Sequence, residues 1–110
     1  MLETKRYLYV GFMCHQAVEK ILKAFYCFEH HEDAPFTHNL ILLLERTSLF
    51  KEISSEYLKF IQKLRPMNIE ARYPEYKMEQ FNKLDLKTTT SFYEQSKEIV
   101  EWVKKKLLIQ

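Results

Sequence analysis

Arg72 and its neighbour Tyr73 place an arginine beside a tyrosine, a pair that can bind or polarise a phosphate group. The planar guanidinium of arginine offers paired N–H donors, which match the oxygens of a phosphate. Both residues are therefore candidates for ligand binding and for catalysis. A structural role stays open for Arg72, because it could instead form an ion pair with Glu19 or Glu70.

Aromatic and basic residues are also mixed in the polar segment that follows. They are Tyr73, Tyr76, Lys77 and Lys83. Such a mixture can stack a base and neutralise its phosphate, so Lys77 is a further candidate for ligand binding. The alternative is a solvated loop whose aromatic side chains anchor it to the core.

Two lysines near the start of the chain form a second group of candidates. Lys20 and Lys23 lie within about one helical turn of Glu19. Glu19 and Lys23 are four residues apart, in the order that stabilises a helix, which favours a solvated ion pair. The alternative is that Lys20 or Lys23 faces a cleft shared with Arg72 and binds an anion there.

Two histidines are candidates for acid–base chemistry, because an unperturbed imidazole titrates near neutral pH. His15 lies within an apolar helical pattern, and His38 lies at the predicted start of another helix. These positions also suit a buried or a capping histidine. A catalytic role and a structural role therefore both stay open for each residue.

The cysteines do not indicate a metal site. Cys27 and His31 are four residues apart, but no second pair has the spacing of a zinc site, and we expect neither metal nor cofactor. A helix would hold Cys14 and Cys27 about 20 Å apart, too far for a disulfide. Free thiols and the lack of a visible leader peptide indicate the cytoplasm.

The composition indicates that helices position these side chains. One glycine and three prolines leave few turn signals and no hairpin signal. Hydrophobic residues make up 46% and charged residues 29%, the balance of a globular protein, and we expect one domain over residues 1–110. The net charge of +2 does not by itself indicate nucleic acid binding. No apolar run has the length of a membrane span.

The spacing of apolar residues predicts four main helices. The first covers about Glu3 to Glu29, and its wide apolar band indicates burial on more than one side. Gly11 within it suggests close approach of another helix, and a second subunit could pack nearby. The second helix covers His38 to Arg46 and is capped by Thr37, and the third begins at Ser54 or Ser55 and breaks at Pro66. A short helix over residues 68–72 and an extended turn over residues 73–76 follow. The last helix covers Thr88 to Leu108. We therefore predict an all-α fold, an antiparallel four-helix bundle with an additional short helix.

Three stretches of the chain carry a resemblance to a known family. They are Tyr9–Ala24 with the motif QAVEKILKA, Pro35–Leu40 with FTHNL, and Asn68–Pro74 with ARYP. In this order and combination they resemble a HEPN-domain protein (higher eukaryote and prokaryote nucleotide-binding). The resemblance covers nearly the whole chain.

This resemblance implies a fold of five helices and a homodimer that binds nucleotide or RNA. Many bacterial members pair with a minimal nucleotidyltransferase in a toxin–antitoxin system. Active members are metal-independent ribonucleases. Their signature is an arginine followed after four to six residues by a histidine, with the site completed across the dimer.

The present chain lacks that signature. Its arginines are residues 6, 46, 65 and 72, and its histidines are residues 15, 30, 31 and 38, so no pair has the required spacing. Our first hypothesis is therefore a homodimeric binding module that pairs with a nucleotidyltransferase. The alternative is a ribonuclease with a non-standard site around Arg72, Tyr73 and one of the histidines.

Overall fold

The computed structural model describes residues 2–67 and 86–109. These residues contain five α-helices, one 3₁₀ helix and no strand. The α-helices are α1 (Leu2–His30), α2 (Leu40–Glu45), α3 (Leu49–Glu52), α4 (Ser55–Leu64) and α5 (Leu86–Ile109), and the 3₁₀ helix covers Arg65–Met67. The all-α prediction is confirmed, while the four-helix arrangement stays a prediction.

The longest helix, α1, matches its predicted span to within one residue at each end. It ends because His31 adopts a left-handed backbone conformation with φ of 57°. The N–H of His31 donates to the carbonyl of Cys27 and so closes the last turn. The chain then turns away from the helix axis and leads to α2.

The start of α2 differs from the sequence prediction. Asn39, and not Thr37, is the N-cap, because the Asn39 side chain accepts hydrogen bonds from the N–H groups of Ile41 and Leu42. The Thr37 hydroxyl instead accepts from the N–H of Asn39. The helix is therefore Leu40–Glu45, shorter than the predicted His38–Arg46.

The third predicted helix agrees with the structure at both ends. The Ser54 side chain accepts from the N–H of Tyr57 and caps α4. The predicted break appears as the 3₁₀ helix Arg65–Met67, which contains Pro66. Between α2 and α4 the short helix α3 covers part of the core through the buried side chain of Leu49.

The hydrophobic core lies where α1 packs along α5 and both are covered by the shorter helices. Its fully buried side chains include Val18, Leu22, Phe25, Leu43, Ile61, Leu64, Ile99 and Val103. Aromatic rings on α4 and α5 extend it through the contacts of Tyr57 with Trp102 and of Phe60 with Phe92. None of the helices in the described ranges has the length and apolar character to cross a bilayer.

Gly11 allows close packing within one chain. A Cβ atom added to it would lie 2.7 Å from the sulfur of Met67, which is far closer than a real contact. Met67 is itself buried and follows Pro66 in the 3₁₀ helix. The predicted close approach at Gly11 is thus made by the Met67 side chain of the same chain.

Three sequence predictions fall outside the described residues. They are the short helix over residues 68–72, the extended turn over residues 73–76 and most of the polar segment after it. The last helix begins at Leu86, two residues before the predicted Thr88, and ends at Ile109, one residue after the predicted Leu108.

Candidate functional site

One face of α1 carries the polar residues of the candidate site. His15, Glu19 and Lys23 follow one another at intervals of four residues, so a helix stacks them on the same side. This face meets the segment that leads into α2, which brings His38 against Glu19. The site therefore joins two regions that are 19 residues apart in the chain.

The Glu19 carboxylate is the centre of the site. Its side chain is only 5% exposed. Nδ1 of His38 lies 3.0 Å from each of its two oxygens, and Nζ of Lys23 lies 3.1 Å from Oε2. A buried carboxylate is costly unless donors surround it, and Glu19 has donors on both sides.

These contacts determine the charge of Glu19. Burial alone would raise the pKa of its carboxyl, but hydrogen bonds from His38 and Lys23 outweigh that effect and hold the pKa below its usual value. Glu19 is therefore an anion at neutral pH and can only accept hydrogen bonds. Nδ1 of His38 must then carry the proton of this contact, which leaves Nε2 as an acceptor in the neutral ring.

The segment before α2 holds His38 in place by hydrogen bonds on either side of it. The N–H of Thr37 donates to the carbonyl of Pro35 at 2.9 Å, and the N–H of Asn39 donates to the Thr37 hydroxyl at 3.1 Å. Asn39 in turn caps α2. The His38 side chain is 58% exposed, so a fixed backbone and a buried carboxylate present an imidazole to solvent.

The ring of His15 lies behind Glu19 in the protein interior and is about 1% exposed. Its Nδ1 lies 3.6 Å from Oε1 of Glu19, and neither ring nitrogen makes a well-formed hydrogen bond within the described residues. Burial lowers the pKa of this imidazole, although the Glu19 carboxylate acts in the opposite direction. His15 is therefore neutral at neutral pH in the folded chain, and its ring has almost no exposed surface for a ligand.

The two lysines predicted to bind a ligand occupy different environments. Lys23 is 28% exposed and its ammonium is held by Glu19, so the ion pair expected from their spacing is present. Lys20 is exposed on α1, one residue after Glu19, and forms no ion pair within the described residues. Lys20 is thus the lysine whose charge is open to an anion.

The other predicted site residues, Arg72, Tyr73 and Lys77, lie outside the described residues. The sequence indicated Glu19 only as an ion-pair partner, of Lys23 or of Arg72, and so underestimated its importance. The spacing of His15, Glu19 and Lys23 was visible as a signal. No local pattern connects Glu19 to His38, because that contact depends on how the chain folds back after α1.

No group of metal-ligating side chains is found among residues 2–67 and 86–109. Both cysteines are free, Cys14 buried and Cys27 exposed. Burial raises the pKa of the Cys14 thiol, so it stays protonated at neutral pH. The buried and protonated Cys14 thiol is therefore not activated as a nucleophile.

A second surface feature is an apolar groove of about 290 Å³ between α1 and α5. Its walls include Val10, Met13, Ala17, Tyr93, Lys97 and Val100. Met13 and Tyr93 are about half exposed there, at 48% and 56%. The groove therefore leaves a considerable apolar area open on the long helices.

Comparison with curated proteins and with solved structures gave no significant match. The family model for the HEPN domain matches residues 1–106, which include α1, the His38 segment and nearly all of α5. This match covers almost the whole chain and agrees with the all-helical fold. The protein belongs to the HEPN-domain family.

Proposed function

We propose that this HEPN-domain chain is a homodimeric module that binds nucleotide or RNA at the surface around Glu19 and His38. The observation that carries the proposal is the imidazole of His38, fixed by a buried carboxylate yet 58% exposed. A purely structural histidine would gain more from burial of its whole ring. A ring that a carboxylate orients through Nδ1, and that is otherwise largely exposed to solvent, is suited to contact with a ligand.

The charges around His38 favour an anionic ligand. Lys20, the residue after Glu19 on α1, is exposed and forms no ion pair in the part of the chain that the structure describes. An imidazole that carries a proton on both nitrogens would donate to such a ligand from Nε2. The negative charge of the Glu19 carboxylate is offset by the Lys23 ammonium, which lies 3.1 Å from Oε2. Phosphate is the anionic group shared by nucleotides and RNA, and Arg72, Tyr73 and Lys77 are proposed to contribute to its binding.

The apolar groove between α1 and α5 supports the homodimer. Met13 and Tyr93 expose large apolar side chains on adjacent helices, and Tyr9 extends this area by one helical turn. A second subunit would bury these side chains and remove them from water. Pairing with a minimal nucleotidyltransferase, as in a toxin–antitoxin system, is proposed from the family alone, and so is a cytoplasmic location.

A binding assay with matched histidine variants tests the ligand proposal. We expect His38→Asn to weaken the binding of fluorescein-labelled single-stranded RNA by roughly tenfold, the effect of one lost hydrogen bond to a charged group. His31→Asn is the control, because His31 is exposed and asparagine tolerates its left-handed backbone. Equal affinity in wild type and His38→Asn, or no binding of RNA or nucleotide by wild type, would contradict the proposal.

A metal-independent ribonuclease is the second candidate function. The observation in its favour is that Glu19 fixes Nδ1 of His38 as a donor, which leaves Nε2 able to take a proton from a ribose hydroxyl. We expect such an enzyme to degrade RNA in EDTA and to lose that activity in His38→Gln. Intact RNA after incubation with the wild-type dimer would leave only the binding function.

A further inference from the structure

The phenyl ring of Phe36 stands completely in solvent. Its relative exposure is 103%, whereas Phe28 and Phe50 are about 40% exposed. A ring in this position contributes nothing to the core and forgoes the stabilisation that burial would give it. The residues around Phe36 therefore indicate whether the ring has a role outside the core.

Phe36 is held on a short and well-defined turn. The carbonyl of Pro35 accepts from the N–H of Thr37 at 2.9 Å, which makes Phe36 the central residue of a γ-turn. The described backbone has a positive φ at no non-glycine residue other than His31, so this is the common inverse form of the turn. The ring is thus displayed at the tip of a turn and is not part of a loose tail.

The same turn carries the exposed imidazole of the candidate site. Phe36 and His38 are separated by one residue, so their Cα atoms are at most about 7 Å apart. Thr37 lies between them and is bonded to both Pro35 and Asn39. Because His38 is held against Glu19, the backbone position of Phe36 is fixed as well.

We propose that Phe36 is a stacking platform for a nucleobase whose phosphate is bound at the exposed imidazole of His38. This inference rests on the proposed function, since it adds a base subsite to the same surface. An exposed aromatic ring beside a group that can bind phosphate is a combination by which proteins bind unpaired bases without reading their sequence. The ligand class is therefore single-stranded RNA or a nucleotide with an unstacked base.

A protein partner is the competing occupant of an exposed phenylalanine. The neighbours of Phe36 in the chain favour the nucleobase, because it is followed by polar residues, Thr37, His38 and Asn39, and the His38 imidazole is exposed. The apolar groove that suits a protein surface is formed by other segments, namely α1 and α5. Substitution by leucine separates these readings, since leucine keeps an apolar contact but has no aromatic face.

The test compares Phe36→Ala, Phe36→Leu and Phe36→Trp in the full chain. The probes are a labelled single-stranded RNA and an abasic oligonucleotide with the same number of phosphates. We expect alanine and leucine to weaken RNA binding roughly tenfold or more, tryptophan to retain it, and all variants to bind the abasic probe as wild type does. Phe50→Ala serves as the matched control and should bind both probes normally.

Each contrary result has a separate meaning. Unchanged RNA binding in Phe36→Ala would overturn the base subsite while leaving the proposed function intact. Wild-type RNA affinity in Phe36→Leu would show that the aromatic face is not needed and would also overturn the base subsite. A changed oligomeric state in Phe36→Ala with unchanged RNA affinity would indicate an apolar protein contact instead. If wild type binds neither probe, the proposed function itself fails. Because Phe36 is fully exposed, all variants should keep the unfolding midpoint of wild type.

Discussion

Nδ1 of His38 lies 3.0 Å from both carboxylate oxygens of Glu19, and this contact ties the segment before α2 to the middle of α1. One partner is almost completely buried and the other is more than half exposed. The carboxylate is therefore protected from water while the imidazole remains open to it. This asymmetry is the main structural basis for proposing a binding surface around His38.

Replacement of Glu19 by glutamine should destabilise the protein. The substitution keeps the size of the side chain but removes the charge that holds His38 and Lys23. We expect the free energy of unfolding to fall by about 1–3 kcal/mol, the range for buried hydrogen bonds to a charged group. Urea denaturation at pH 7 measures it, with Glu101→Gln on an exposed position of α5 as the control. Equal losses in the two variants would show that the Glu19 contacts add no stability.

His15 should make the protein less stable in mild acid. Its pKa is lowered by burial from an ordinary value of 6.5, so below that pH the unfolded chain binds a proton that the folded chain does not. The free energy of unfolding should therefore fall as the pH is lowered from 6.5 towards the pKa of the folded state. Glu19, whose pKa is also lowered, loses its contribution only at more acidic pH, below its ordinary value of 4.5.

The variant His15→Leu tests this pH dependence. Leucine fills a similar volume and cannot be protonated, so we expect the free energy of unfolding to change much less than in wild type over the window just below pH 6.5. The measurement is urea denaturation at a series of pH values on both proteins, with His31→Asn as the control for an exposed histidine. Parallel pH profiles for wild type and His15→Leu would assign the acid sensitivity to another group.

Gly11 and Met67 should be energetically coupled. In wild type, Gly11→Ala places a Cβ atom 2.7 Å from the sulfur of Met67, and that clash opposes the gain of about 1 kcal/mol that alanine gives a helix. In the Met67→Ala background the clash is absent, so Gly11→Ala should stabilise the protein by about that amount. A double-mutant cycle of unfolding free energies measures the coupling. Additive effects would show that Met67 moves aside without cost.

The groove between α1 and α5 should be required for self-association. We expect the pair of substitutions Met13→Lys and Tyr93→Lys to convert a dimer into a monomer, because each would bring charges into an apolar interface. Light scattering coupled to size-exclusion chromatography measures the mass. Leu108→Lys changes another exposed apolar residue and serves as the control. A wild-type monomer, or a dimer that persists in the double variant, would exclude this groove as the interface.

Much of the helical framework could be predicted from the sequence alone. The apolar spacing identified α1 and α5 to within two residues, and Ser54 and Pro66 marked the start and the break of the third main helix. These features depend on neighbours a few residues apart along the chain, which is the range over which capping and helical periodicity act. The Glu19–Lys23 pair was visible for the same reason, because it lies within one helical turn.

The start of α2 shows where local signals are insufficient. Thr37 and Asn39 are both good capping residues, and they compete for one helix start. The structure uses Asn39 as the cap and places Thr37 in the preceding turn, where its hydroxyl accepts from Asn39. That choice depends on where the chain must leave α1 and approach it again, which local propensity does not contain.

The sequence by itself determined the family, the helices and the types of side chain available for chemistry. Only the tertiary structure decided which of them act together, placing His15 in the interior, Lys23 on Glu19 and His38 at the surface. The physical reason is that burial and the 19-residue approach of His38 to Glu19 are set by packing of distant segments. A charge pattern along one helix cannot show that a carboxylate will be buried, nor which imidazole will cover it.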